Sequence, residues 1–213
     1  MDMTRSVGSV RTILGALAAV GALTVLSGCA EREADGREPD AAAAAAGTIV
    51  DSILPIEEEV RRFTEAAGPA PTSLDSEWTS VDALARDFVQ ALAARDTAFL
   101  TRVIVTPAEY IAFYFPHSVY MEPPYQMDPA TIWFQMSSGS SRGLGRALAR
   151  FGGKDLEMEG YACDVAVQQG PNLVRERCRL RLRLDGESLE IRLFGPVLER
   201  DGRVKFLTYG NDL

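Results

Sequence analysis

The chain contains 213 residues, of which 22 are basic and 30 are acidic, and its formal net charge at pH 7 is −8. This acidic balance disfavours nucleic acid and a bare anionic membrane as partners. The length is sufficient for one well-packed domain with additional segments.

The N-terminal segment predicts export. Arg5 and Arg11 precede an apolar run from Ile13 to Leu26, and this run ends in Leu26-Ser27-Gly28-Cys29. A basic start, a short apolar stretch and small residues at the cleavage site are typical of a secretory signal peptide. A transmembrane helix is the alternative, but the fourteen residues of the run reach only about 21 Å of a hydrocarbon core about 30 Å thick.

The cysteine after Leu-Ser-Gly resembles the lipobox of bacterial lipoproteins. In that family the thiol is diacylated and the signal is cut before the cysteine, which here implies a signal peptide over residues 1–28 and lipidation at Cys29. The resemblance implies a cell-envelope protein that faces the periplasm and is held to a membrane by its lipid. Ala30 stands where an aspartate would resemble an inner-membrane retention signal, so the outer membrane is favoured.

Residues 29–77 predict a tether with a short amphipathic helix. Residues 30–47 are charged, alanine-rich and interrupted by proline and glycine, which is typical of a flexible segment. A helix is predicted over about residues 52–65, either packed on the domain or docking a partner. Its apolar stripe consists of Ile53, Ile56, Val60 and Phe63. Residues 67–77 have the composition of a linker, so the domain is predicted over residues 78–213.

The first part of this domain predicts helices that are marked by their capping residues. The caps are Ser80, Asp96, Thr106 and Asp128. Gly152 and Gly153 end the last helix. Gly139 and the serines around it predict a break or kink in the middle of that helix.

From about Leu156 the apolar period changes to two, which predicts strands. Turns at Gly170-Pro171, Asp185-Gly186 and Asp201-Gly202 divide this region into a four-stranded antiparallel meander. The first turn places Cys163 directly opposite Cys178, and an exported chain favours a structural disulfide between them. A redox-active or metal-binding pair is the alternative, but such sites usually have C-x-x-C spacing or additional ligands, and the sequence shows neither here.

Helices followed by a meander predict an α+β domain with the N-terminal helices packed on one face of the sheet. This order resembles the nuclear transport factor 2-like superfamily, a cystatin-like cone, over residues 78–213. The resemblance implies a pocket between the curved sheet and the helices. It also implies isomerase or dehydratase chemistry as one alternative, as in ketosteroid isomerase and scytalone dehydratase.

A cluster of aromatic residues marks the mouth that this superfamily would have. Eight of the 17 aromatic residues lie between Tyr110 and Phe134. The candidate lining residues are Tyr110, Tyr114, Tyr120, Tyr125 and Trp133. Tyrosine combines an apolar ring with a hydroxyl, so these residues predict a pocket for a small apolar ligand. A second interpretation places the same aromatic residues in the core.

The only histidine, His117, is a candidate general base, with Glu109, Tyr114 or Asp128 as its partner. An exposed or structural histidine is the alternative. Nucleophile motifs, phosphate-binding loops and metal-ligand spacings are not found, so neither a metal nor a cofactor is predicted.

Arginines alternate with the apolar residues of the second predicted strand. They are Arg177, Arg179, Arg181 and Arg183. They form either a solvated face with cross-strand pairs, such as Arg181 with Glu190, or a basic platform for an anionic partner. Such a partner could be a lipid headgroup, cell-wall carboxylates or an acidic protein of the envelope.

These patterns together predict a lipid-anchored envelope protein with a non-catalytic, ligand-binding or accessory domain. The alternatives are a small-molecule enzyme that uses His117, and a structural docking protein that uses the face from Arg177 to Arg183.

Overall fold

A computed structural model describes residues 54–210. The predicted signal peptide, Cys29 and the flexible segment over residues 30–47 lie outside the described residues. Between residues 54 and 210 no helix combines the length and the apolar character that crossing a membrane requires.

The helices precede the sheet, as predicted. They are α1 (Ile56–Ala67), α2 (Val81–Ala94), α3 (Thr97–Arg102), α4 (Pro107–Glu109) and α5 (Pro129–Phe151). A π-helix (Tyr110–Tyr114) and a 3₁₀ turn (Phe115–His117) follow α4 directly. All four predicted caps are confirmed, since the side chains of Ser80, Asp96, Thr106 and Asp128 each accept a hydrogen bond from a backbone N–H of the following turn.

Helix α5 continues through Gly139, so the prediction of a break there is wrong, and the alternative of a kink stays a prediction. Small residues serve here to let another segment approach. A Cβ atom on Gly143 would lie 2.0 Å from the carbonyl oxygen of Gly210. The hydroxyl of Ser140 accepts a hydrogen bond of 3.0 Å from the backbone N–H of Tyr209. The small residues at the centre of α5 have low helix propensity. They also leave the space in which the C-terminal segment crosses the helix.

The sheet is antiparallel and open, and the coarse α+β prediction is confirmed. Its strands are β1 (Leu156–Gln169), β2 (Asn172–Leu184), β3 (Glu187–Ile191), β4 (Val197–Arg200) and β5 (Arg203–Phe206). The order is β1-β2-β4-β5, and β3 also pairs with β2.

The sheet has five strands where four were predicted, because the predicted third strand is two strands. β3 pairs with residues 180–184 of β2, and β4 pairs with residues 173–175. Residues 192–196 separate them. Gly195 and Pro196 interrupt the ladder there, since proline has no N–H to donate.

The register of the β2–β3 hairpin agrees with the predicted turn at Asp185-Gly186, and that of the β1–β2 hairpin agrees with the predicted turn at Gly170-Pro171. Leu184 pairs with Glu187, and Leu182 pairs with Leu189. Cys163 lies opposite Cys178 in the β1–β2 register, and their sulfur atoms are bonded at 2.04 Å.

The main core lies between α2 and the inner face of the sheet. Phe88 of α2 packs on Phe194, Phe206 and Tyr209, with ring centroids 5.5–5.9 Å apart. Leu180 of β2 belongs to the same buried cluster. One face of the sheet is therefore covered by helix, as the element order predicts.

Residues 68–77 also belong to the folded unit, although their composition predicts a linker. Leu74 is buried, and the hydroxyl of Ser76 donates to the carbonyl oxygen of Val204 at 2.6 Å. The backbone N–H of Val204 donates to Trp78. This segment covers the outer edge of β5, which protects that edge from pairing with another chain. Helix α1 packs on the aromatic cluster around Tyr110.

Candidate ligand cavity

The interruption between β3 and β4 creates an open cavity. Residues 176–179 of β2 have no strand partner on that side, because β3 pairs only with residues 180–184 and β4 only with residues 173–175. The cavity has a volume of about 680 Å³. Its lining includes Tyr114, Tyr120, Glu176, Arg177, Thr208 and Gly210.

The helical wall of the cavity depends on the π-helix. The backbone N–H of Phe115 bonds to the carbonyl oxygen of Tyr110, five residues earlier, and this wide turn includes Tyr114. The carbonyl oxygen of Phe113 accepts a hydrogen bond of 2.7 Å from the side chain of Asn172, which is fully buried. Asn172 therefore holds the π-helix against the start of β2.

Asn172 was not identified as a site residue from the sequence. Its signal is its position, since it occupies the buried face of β2 two residues before Val174. A polar residue at an inward position needs a hydrogen-bond partner, and that requirement marks it as an anchoring residue.

The strand wall provides the charged groups. Glu176 is half-buried and Arg177 is exposed at the cavity. Burial, followed by electrostatic interactions with Tyr120 and Glu176, raises the pKa of Tyr114 to about 12. The phenol of Tyr114 is therefore a neutral hydrogen-bond donor at physiological pH.

The structure brings two of the five candidate aromatic residues to this cavity, Tyr114 and Tyr120. Tyr110 is fully buried, its hydroxyl donates to Pro129 at 3.2 Å, and its ring lies 5.1 Å from that of Trp133. Trp133 lines a separate groove of about 280 Å³. Tyr125 is 61% exposed. The two interpretations of the cluster thus apply to different members, since Tyr110 is core and Tyr114 is cavity wall.

Glu109 is committed to structural contacts. It is buried and accepts hydrogen bonds from the backbone N–H groups of Asp75 and Thr106, at 2.7 and 2.8 Å. The ammonium group of Lys205, also buried, lies 2.9 Å from its second oxygen. Both oxygen atoms of this carboxylate therefore accept hydrogen bonds that hold the fold together.

His117 lies at the C-terminal end of the helical segment that follows α4. It is exposed at the end of the 3₁₀ turn, and a Cβ atom on Gly170 would lie 2.6 Å from its Nδ1. Within residues 54–210 it makes no hydrogen bond or ion pair with Glu109, Tyr114 or Asp128. Asp128 instead caps α5. No group of three metal-ligating side chains occurs in the described part of the chain.

Two arginines of the row, Arg179 and Arg183, pair with carboxylates of the neighbouring strands. Arg179 contacts Asp164 at 2.6 Å and Glu190 at 3.0 Å. Arg183 contacts Glu159 at 2.5 Å. The predicted register of Arg181 with Glu190 is confirmed, although Glu190 forms its ion pair with Arg179. The docking interpretation of this row stays a prediction.

Comparison of the chain with protein-family models, with curated proteins and with solved structures gives no match. The functional argument therefore depends on the cavity and on the residues around it.

Proposed function

We propose that this chain is a lipid-anchored protein of the cell envelope whose folded domain binds a small molecule without transforming it. The ligand occupies the cavity beside residues 176–179. The observation that supports this proposal is the convergence of two phenols, Tyr114 and Tyr120, with the carboxylate of Glu176 around one open volume of about 680 Å³. Concave sites with aromatic walls and a few polar groups are typical of small-molecule binding.

The location is proposed from the sequence. Leu26-Ser27-Gly28-Cys29 resembles a lipobox, and Ala30 favours the outer membrane. The bond between Cys163 and Cys178 is consistent with an oxidising compartment such as the periplasm. The nuclear transport factor 2-like cone is proposed in the same way, with the cavity as its pocket.

Binding is preferred to catalysis because the candidate catalytic groups are not assembled. Glu109 is held by Lys205 and by two backbone donors. His117 is not among the residues that line the cavity. General acid–base catalysis requires the base within hydrogen-bond reach of the reacting group. An enzyme that uses His117 remains the alternative, and His117→Ala would abolish its turnover.

The proposal is tested by native mass spectrometry of the full chain, extracted with detergent from membranes of a Gram-negative host. We expect a bound small molecule in the native spectrum that is absent from the denaturing spectrum. Tyr120→Ala removes one cavity wall and should release this mass. Tyr125→Ala, an exposed tyrosine in the same loop, should retain it. A spectrum without bound mass, or a bound mass that Tyr120→Ala leaves unchanged, would contradict the proposal.

A further inference from the structure

One arginine of β2 differs from its neighbours in charge pairing. Arg175 pairs with Glu199 at 2.9 Å, and Arg179 and Arg183 pair with carboxylates of the adjacent strands. Arg181 lies close enough to Glu159 to lower the pKa of that carboxyl group. Arg177 has no ion-pair partner within residues 54–210. It is also the member of this set that lines the cavity.

The backbone at Arg177 is unusual as well. Every other residue of β2 has a partner in β1, whereas the register has none for Arg177. Its φ is +52°, in the left-handed region that non-glycine residues rarely adopt. Strained conformations of this kind occur preferentially at functional sites. The local distortion coincides with the gap between β3 and β4, which is where the cavity opens.

The chemistry around this guanidinium limits what it can bind. An arginine binds a carboxylate through two parallel hydrogen bonds, which gives both charge and orientation. The rings of Tyr114 and Tyr120 offer apolar surface for the body of a ligand. Glu176 would repel a second negative charge but would accept a hydrogen bond from a hydroxyl group. Arg192 also lines the cavity, so the two guanidinium groups and the carboxylate of Glu176 carry one net positive charge. The surroundings therefore favour a single negative charge over a phosphate dianion.

We propose that the ligand of this cavity is a small organic monocarboxylate with a hydroxyl donor, and that Arg177 binds its carboxylate while its body lies against Tyr114 and Tyr120. This inference rests on the proposed function, because it requires that the cavity is a binding site.

The experiment uses three probes that share one ring and differ in charge. They are 4-hydroxyphenylacetate, its neutral amide 4-hydroxyphenylacetamide, and the cation tyramine. Binding to the detergent-extracted full chain is measured at pH 7 by saturation-transfer NMR. We expect the anion to bind at least tenfold more tightly than either analogue. Arg177→Gln should remove this preference, and Arg181→Gln, on the same face of β2, should keep it.

A second variant separates the charge from the backbone conformation. Arg177→Gly accepts the positive φ without strain and removes the guanidinium, so it should fold and lose the anion preference as Arg177→Gln does. Equal binding of the three probes, tighter binding of tyramine, or an anion preference that survives both variants would overturn this inference alone. If none of the probes binds to the unmodified chain while its native mass spectrum shows a bound small molecule, this inference alone is overturned. If no probe binds and the native spectrum shows no bound mass, the proposed function is overturned as well.

Discussion

Glu109 and Lys205 form an ion pair whose side chains are both almost completely buried. The pair joins three parts of the fold, because Glu109 also caps α4 and accepts a hydrogen bond from the backbone of Asp75. A buried pair of this kind adds little net stability compared with apolar residues, but removing one partner leaves a buried charge.

We therefore expect Lys205→Met to reduce the free energy of unfolding by about 3–5 kcal/mol, because the carboxylate of Glu109 loses its counter-charge. Urea denaturation of the full chain measures this change. Arg86→Gln is the control, since it breaks an exposed pair with Asp82 and should cost no more than about 0.5 kcal/mol. Similar losses in the two variants would contradict the structural role of the buried pair.

Tyr114 gives a prediction for alkaline pH. Its pKa is about 12 in the folded state, above its ordinary value of 10.0. The unfolded state therefore loses this proton first, and the stability that depends on it is present below pH 10 and is lost as pH rises towards 12. In Tyr114→Phe the loss between pH 8 and pH 11 should be smaller by about 1 kcal/mol. Urea denaturation at both pH values provides the test, and equal losses in variant and wild type would refute it.

The sequence could predict those helix starts and turns that depend on residues adjacent in the chain. The cap at Thr106 and the turn at Asp185-Gly186 depend on neighbouring residues, and both occur as predicted. The turn at each end of β2 sets the register of the hairpin that it closes. The turn at Gly170-Pro171 therefore places Cys163 opposite Cys178.

The division of the predicted third strand has a long-range cause. The bend at Gly195-Pro196 is stabilised by residues 207–210, and the backbone N–H of Gly195 bonds to Thr208. The cavity depends on this bend and also on the π-helix. Phe113 of the π-helix accepts a hydrogen bond from Asn172, which lies 59 residues later in the chain. No periodicity within one segment contains that information. The same reason explains why Arg177 was predicted as one of a row of equivalent arginines.

Helix α5 offers a matched test of the close contact at its centre. Gly143→Ala would place a methyl group 2.0 Å from the backbone of Gly210, whereas Gly145→Ala would meet nothing within 4 Å. We expect the first substitution to destabilise the protein by about 1–3 kcal/mol. The second should stabilise it by about 0.5–1 kcal/mol through helix propensity. Thermal denaturation distinguishes them, and equal effects would show that the C-terminal segment does not restrict α5.

At the scale of the whole molecule, the disulfide closes the long β1–β2 hairpin. The two cysteines are 15 residues apart in the chain, and a loop of this size contributes about 3 kcal/mol in the chain-entropy model. We expect the Cys163→Ala/Cys178→Ala variant to lose about this amount. Wild type in a reducing buffer should show a similar loss of stability. Unchanged denaturation midpoints in both samples would contradict a stabilising role.

The lipid anchor is tested on the whole chain. Cys29→Ser removes the thiol that the lipobox resemblance assigns to acylation. We expect the wild-type chain to sediment with outer membranes and to incorporate labelled palmitate, and the variant to do neither. Labelling that persists in Cys29→Ser would contradict the assignment.

The arrangement of β2 has a consequence for how the sheet opens. Its two ends pair with different strands, and residues 192–196 connect these strands. We therefore expect β3 and the β4–β5 hairpin to open from β2 independently, with residues 192–196 as the hinge. A ligand in the cavity would touch β2 and this hinge at the same time. Bound ligand should therefore couple the two openings. Amide hydrogen exchange in β3 and β4 would then slow together, even though the residues that line the cavity include none from either strand.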